Sequence, residues 1–213
     1  ILKKHLTNEN TFWRFFGDAS RQNLVDFDEK DPWKVYENFN SLVNENIYTK
    51  FKLRDNYRNK RQIVNYLRDL CDVSYEDIKR QDIDNQAVTF NKYENKEDLV
   101  LKIYELIEKL MTDFSPEEIT ILSMYDDDNS CKENLIELFL LKKLKLNTTE
   151  NMFIEGQVNY SSVKQFRGLE SQIIIAVDFN QSCENENVNN HLYTAFTRTL
   201  ERFYIFHDDN FLK

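Results

Sequence analysis

The chain has 213 residues, enough for one large domain or two small ones. Its net charge of −9 argues against a general polyanion binder, although nucleic-acid binding needs only a local basic track. The very low counts of 3 glycines and 2 prolines argue against a loop-rich all-β fold and favour long regular elements.

The cysteines Cys71, Cys131 and Cys183 are odd in number and widely separated. This pattern predicts a reduced, intracellular protein, which we expect in the cytoplasm. The histidines are scattered, so no metal-ligand spacing is seen. No signal-peptide pattern is present, and no apolar run approaches the ~18 residues of a membrane span. Because the chain starts with Ile1 and not Met, we expect it to be a piece of a longer protein.

Periodic apolar residues predict secondary structure along the first half of the chain. The predicted elements are a strand over 12–16, a helix over 33–43, a strand over 48–53, a helix carrying Ile63, Val64, Leu67 and Leu70 after an N-cap at Asn59, and a strand over 87–90. The clearest amphipathic helix follows at 99–111.

The second half continues the alternation of strands and helices. The predicted elements are one helical turn with a capping box at 115–118, a strand over 119–122, a helix over 132–144, a short strand over 152–154, a buried strand over 173–177, a helix over 192–199 and a strand over 203–206. No linker divides the chain, so the pattern predicts one α/β domain over 1–213 with a parallel sheet and helices on both faces.

The strand Ile173–Val177 is an unbroken apolar run, which is typical of a strand buried on both faces. A polar group formed by Lys164, Arg167, Gly168 and Glu170 stands just before it. Two cations and a carboxylate beside a rare glycine are unusual at the edge of a core strand. Such a glycine either lets the backbone approach a partner closely or takes a dihedral angle that other residues avoid.

Three other polar clusters accompany this group, and in α/β sheets we expect functional residues just past the carboxyl ends of strands. The four clusters are Phe-Phe-Gly-Asp-Ala-Ser-Arg-Gln (15–22), Leu-Arg-Asp-Asn-Tyr-Arg (53–58), Ser-Val-Lys-Gln-Phe-Arg-Gly-Leu-Glu (162–170) and Leu-Tyr-Thr-Ala-Phe-Thr-Arg (192–198). In this order they resemble the third to sixth motifs of UvrD/Rep-like superfamily 1 DNA helicases. The resemblance extends from residue 12 to about residue 206, which is nearly the whole chain.

The resemblance implies a RecA-like, doubly wound, mainly parallel sheet that forms the second motor domain of a helicase. It implies ATP and Mg²⁺ as cofactors, bound mainly by a first RecA-like domain that carries the Walker A loop. The glycines Gly17, Gly156 and Gly168 cannot form that loop here, so we expect it upstream of Ile1. The implied partners are that first domain and single-stranded DNA, or alternatively RNA, with no membrane. We expect the fragment itself to be a monomer without ATPase activity.

The resemblance also implies roles for individual residues. The implied catalytic residues are Gln22 and Arg58, which sense the terminal phosphate, and Arg198 as an arginine finger. The implied nucleotide-binding residues are Tyr57, which stacks on the adenine, with Glu170 and Gly168. The implied nucleic-acid-binding residues are Ser162, Lys164 and Phe27, the last by base stacking. Arginine suits phosphoryl transfer because it stays charged and binds phosphate in a bidentate manner.

The chain departs from the family pattern at several positions. Gln22 stands one residue further from the Gly-Asp pair than usual, so Arg21 is an alternative. Lys164 replaces the usual His and Arg167 the usual Lys, and both keep a basic side chain. Two other functions stay open at this point: a degenerate helicase-like module that binds nucleic acid or a partner chain without motor activity, and a plain α/β structural domain with coincidental motifs.

Overall fold

The computed structural model describes residues 55–71, 75–80, 86–125, 130–179 and 187–208, with 187–190 described by their backbone alone. The strands predicted over 12–16 and 48–53 and the helix predicted over 33–43 lie outside these residues. The candidate site residues Gln22 and Phe27 also lie outside them, so their roles stay predictions.

The described residues form the following elements in chain order. They are β1 (Asp55–Asn56), α1 (Arg61–Cys71), β2 (Asp77–Ile78), β3 (Val88–Lys92), α2 (Lys96–Leu110), a 3-10 turn (Pro116–Glu118), β4 (Ile119–Ser123), α3 (Lys132–Leu141), β5 (Leu146–Asn147), β6 (Val158–Ser162), β7 (Ser171–Phe179), α4 (Asn187–Thr197) and β8 (Thr199–His207).

Six of the strands form one sheet in the order β3-β8-β7-β4-β6-β5, and every neighbouring pair is parallel. The short strands β1 and β2 form a separate parallel pair. Helices α2 and α3 pack on one face of the large sheet, and α1 and α4 pack on the other. The predicted α/β fold with a parallel sheet and helices on both faces is therefore confirmed.

The central strand β7 is buried on both faces, as its apolar run predicts. Ile173, Ile175 and Val177 belong to the core beneath α2 and α3. Ile174 and Ala176 belong to the core beneath α1 and α4. Because its side chains pack into both cores, this strand joins the two helical layers. Burying one such isoleucine side chain stabilises the fold by about 1.5–3 kcal/mol.

Local signals place several helix boundaries. The Asn95 side chain accepts a hydrogen bond from the Asp98 N–H at 2.9 Å and so caps the start of α2. The predicted capping box also forms, because the Ser115 N–H donates to the Glu118 carboxylate at 2.9 Å. As predicted, this helix is one turn long, since β4 begins at Ile119.

Three predictions of local structure were wrong. Residues 152–154 form no strand, because Phe153 has a left-handed backbone with φ of 64°. The strand lies instead at Val158–Ser162. Asn59 does not cap α1, which begins at Arg61, because its side chain is bonded elsewhere. Helix α4 begins at Asn187 and not at residue 192.

Two of the cysteines, Cys71 and Cys131, are buried. None of the helices within the described ranges is long and apolar enough to cross a membrane.

A buried carboxylate joins the carboxyl end of β7 to the start of α3. The Asp178 side chain accepts hydrogen bonds from the Ser123 hydroxyl and from the Cys131 N–H, the latter at 3.2 Å. Asp178 has a φ of 65°, a left-handed conformation that Asp tolerates better than most residues. Burial raises the pKa of this carboxyl group above its usual 3.8, and the two hydrogen bonds only partly oppose that effect.

This raised pKa predicts a pH-dependent stability. The folded state holds the Asp178 proton more tightly than the unfolded state does. Its contribution to stability is therefore complete below the usual pKa of 3.8 and is lost as the pH rises through the folded pKa. In urea unfolding from about pH 4 to pH 7, the wild type should lose free energy of unfolding relative to Asp178→Asn.

Asp113→Asn is the matched control, because Asp113 is exposed. Its free energy of unfolding should follow that of the wild type at every pH. Parallel curves for the wild type and Asp178→Asn would contradict the proposed titration.

Candidate nucleotide-facing site

The direction of the parallel strands puts two candidate site residues at the amino edge of the sheet. Glu170 directly precedes β7, and Arg198 directly precedes β8. The Ser171 N–H donates to the Arg198 carbonyl at 3.1 Å, so the two segments are joined by their backbones. The expectation that the site gathers past the carboxyl ends of strands is therefore wrong for Glu170 and Arg198.

Arg58 reaches the same edge from the loop between β1 and α1. Its Nε lies 3.3 Å from a carboxylate oxygen of Glu170, and its Nη1 donates to the Thr197 carbonyl at 3.5 Å. The side chains of Arg58 and Glu170 are 44% and 48% exposed. An ion pair so open to solvent contributes only about 0–1 kcal/mol, so a competing anion can displace the carboxylate at little cost.

Arg198 directly follows α4 and is partly buried beside this pair. Its N–H donates to the Thr194 carbonyl at 3.1 Å, which closes the last helical turn. Its side-chain Nε is buried and has no hydrogen-bond acceptor among the described residues. Burial, and after it the positive charge of Arg58, lowers the pKa of the Arg198 guanidinium, against the opposing charge of Glu170. The cluster of Arg58, Glu170 and Arg198 is called the amino-edge cluster below.

Two buried asparagines hold Arg58 in place. The Asn56 side-chain oxygen accepts from the N–H groups of Arg58 and Asn59 at 3.1 and 2.9 Å. The Asn59 side-chain nitrogen donates to the carbonyls of Phe196 and Thr199 at 3.2 and 2.8 Å. Asn59 thus joins the loop that carries Arg58 to the backbone on both sides of Arg198.

A second brace involves residues that no motif singled out. Arg80 donates to the carbonyls of Arg58 and Leu200, at 3.3 and 2.7 Å, and also contacts the Glu201 carboxylate. Lys60 pairs with Glu201 at 2.8 Å. Burial alone would raise the pKa of Glu201, but hydrogen bonds and charges from Lys60 and Arg80 outweigh it and lower the pKa. Nothing in the weakly patterned stretch around Arg80 signals this contact.

Two further residues proposed to face the nucleotide, Tyr57 and Gly168, are exposed and lie close in sequence to members of the amino-edge cluster. Tyr57 directly precedes Arg58, and 71% of its surface is exposed. Gly168 is exposed two residues before Glu170 and has a φ of 85°. A side chain at position 168 would meet no atom within 4 Å, so the backbone conformation, and not crowding, requires glycine there.

Ser162 and Lys164, two of the residues proposed to face nucleic acid, lie at the opposite edge of the sheet. Ser162 ends β6 level with Ser123, at the carboxyl edge of the sheet. Its hydroxyl accepts from the Gln165 N–H at 3.2 Å, and the residue is only 4% exposed. Lys164 follows and is exposed. Residues 163–170 then cross to the amino edge, a height of about 20 Å if β7 rises about 3.3 Å per residue.

The amino-edge cluster is chemically suited to bind a multiply charged anion. Two guanidinium groups lie close together, and one of them is partly desolvated with an unsatisfied Nε. An anion at this point would relieve their mutual repulsion and accept the unused donor. In the described part of the chain, no group of three His, Cys, Asp or Glu side chains is placed to hold a metal ion.

Comparison with known structures supports the fold. The chain is similar to the C-terminal domain of a possible DNA helicase from Lactobacillus plantarum WCFS1. The two share 17% sequence identity, and the match covers 71% of this chain and 87% of that one with a TM-score of 0.54. No protein-family model matches the sequence, and no curated protein is similar enough in sequence to match. At this identity the likeness establishes a shared RecA-like architecture.

The Asn59 contacts predict a cost for removing its side chain. Asn59→Ala leaves the carbonyls of Phe196 and Thr199 buried without this donor, which should cost about 1–3 kcal/mol of unfolding free energy. The measurement is urea unfolding. Thr112→Ala is the control, because it removes an exposed hydroxyl that donates to Lys109. It should change stability by less than about 0.5 kcal/mol. Equal effects of the two substitutions would contradict the role of Asn59.

Proposed function

We propose that this chain is the second RecA-like domain of an ATP-dependent superfamily 1 helicase or translocase that moves on single-stranded DNA. The observation that carries this proposal is the meeting of Arg58, Glu170 and Arg198 at one edge of the sheet. They come from three segments far apart in sequence, each of which resembles a helicase motif. The similarity to a possible DNA helicase domain supports the same conclusion.

The residues of the amino-edge cluster are chemically suited to bind a nucleoside triphosphate. Arg58 and Arg198 supply two cations, and the unused Nε of Arg198 is a donor that lacks an acceptor among the described residues. Tyr57 offers an exposed ring for the adenine. ATP, bound with Mg²⁺ mainly by a first RecA-like domain, would supply the phosphoryl group.

The chain contributes the positioned guanidinium groups of Arg58 and Arg198, and the first RecA-like domain contributes the Walker A lysine. Arg198 stabilises the charge that develops on the transferred phosphoryl group, as an arginine finger does. Arg58 exchanges Glu170 for phosphate oxygens, and Glu170 then accepts hydrogen bonds from the sugar. Asn59 and Arg80 hold the backbone, so that both guanidinium groups stay at the amino edge without reorganisation.

If Arg198 is an arginine finger, its removal should slow ATP hydrolysis. In the longer protein that this proposal implies, Arg198→Ala should lower kcat for ATP hydrolysis by about 10³- to 10⁵-fold, because the developing charge loses its cation. Affinity for single-stranded DNA should change little. Arg68→Ala is the control, since Arg68 is an exposed arginine bonded to the Tyr75 carbonyl. An unchanged kcat in Arg198→Ala would rule out the finger role.

The same experiment distinguishes a motor from a binding module. A longer protein that binds single-stranded DNA but does not hydrolyse ATP would support the degenerate module. ATP turnover by this chain alone, surviving repurification, would contradict the proposal that the Walker A lysine lies in another domain.

The proposed nucleic-acid track predicts a salt-dependent affinity. Single-stranded DNA should bind this chain, and Lys164→Ala should weaken binding because one phosphate contact is lost. The slope of log affinity against log salt concentration should become shallower by about 0.7. Fluorescence anisotropy over a salt series measures both quantities. Lys109→Ala, an exposed lysine at the end of α2, should leave the slope unchanged.

A further inference from the structure

Phe153 is a partly exposed aromatic residue whose backbone has an unfavourable conformation. Its φ is 64°, a left-handed value that residues with large side chains rarely adopt. The residue is 41% exposed, and the adjoining Ile154 is 38% exposed. A conformation of this kind persists only where the surrounding structure holds it, and such positions cluster at functional sites.

The loop that carries Phe153 is held by three polar side chains, of which Asn147 and Asn159 are buried. The Asn159 oxygen accepts from the Phe153 N–H at 2.8 Å, and its nitrogen donates to the Glu117 carbonyl at 2.9 Å. Asn159 has no exposed surface. The Glu117 carboxylate accepts from the Gly156 N–H at 2.9 Å, and Asn147 donates to the Asn151 carbonyl at 2.7 Å. The exposure of the ring is therefore fixed by the fold.

The ring of Phe153 contacts the segment that carries Lys164 and Arg167. It meets the fully buried Phe166 edge-on, with ring centroids 6.4 Å apart and planes at 67°. Phe166 lies between Lys164 and Arg167 in the chain, and both of these cations are exposed. The exposed Phe153 therefore adjoins the segment 163–170, which carries two exposed cations.

We infer that Phe153 is a base-stacking residue for single-stranded nucleic acid, with Lys164 and Arg167 of the adjoining segment contacting the backbone phosphates. This inference rests on the proposed function and adds a contact that none of the helicase-like motifs contains. Proteins that bind single strands combine a basic track with aromatic side chains on which bases stack. The two exposed cations of the adjoining segment favour a polyanionic strand over an apolar protein partner.

The test uses this chain with oligonucleotides of about 10 nucleotides, dT and rU in separate arms, followed by fluorescence anisotropy. Phe153→Gly removes the ring and suits the left-handed backbone, so the melting temperature should change little. Its affinity should fall about 5- to 150-fold, because stacking of one base is lost. The salt slope should stay unchanged, since no charge is removed. Phe153→Trp keeps a stacking ring and should retain affinity.

The control is Leu141→Ala, which removes an apolar side chain that is 79% exposed at the end of α3 and should not alter binding. Normal binding by Phe153→Gly together with weakened binding by Lys164→Ala would overturn the role of Phe153 and leave the proposed function intact. Phe153 and Ile154 would then be a contact for another protein. Absence of binding by the wild type to both dT and rU would overturn this inference and the proposed track together.

Discussion

Parallel pairing of β7 with β4 and β8 is the constraint on which the arrangement of the site depends. In a parallel sheet, each connection must return from the carboxyl edge to the amino edge before the next strand begins. Residues 163–170 make that return between β6 and β7. They therefore start beside Lys164 at one edge and end at Glu170 at the other, so a single short segment connects the proposed DNA track to the proposed nucleotide site.

Two positively charged side chains, Arg58 and Arg198, repel each other at the amino edge of the sheet. Arg58 and Arg198 approach each other closely enough that the charge of Arg58 contributes to lowering the pKa of Arg198. The fold tolerates this because Asn59 and the Arg80–Glu201 pair fix the backbone around both arginines. Glu170 is the internal counter-charge, but its pair with Arg58 is open to solvent, so its displacement by an external anion costs little, as the proposed phosphate contact requires.

The sequence was sufficient to predict the α/β architecture and to nominate Arg58, Glu170 and Arg198, because apolar runs and motif spacing are local signals. It was not sufficient to identify Asn59 or Arg80 as braces, since their partners near Thr199 and Leu200 lie more than a hundred residues away. Strand β6 escaped prediction because its buried positions include Asn159, Ser161 and Ser162. A strand was wrongly predicted over 152–154 because these residues are apolar, and apolar composition gives no sign of the left-handed backbone at Phe153.

The place of β8 in the sheet has a consequence for how the chain folds during synthesis. Val88 pairs with Phe203, so two neighbouring strands are separated by more than half of the chain length. Among the described strands, β3 pairs only with β8, so β3 cannot complete its pairing until β8 has been synthesised. Such non-local pairing slows folding and leaves the backbone edge of β3 unpaired in the interval. The described six-stranded sheet is therefore complete only once β8 has joined it.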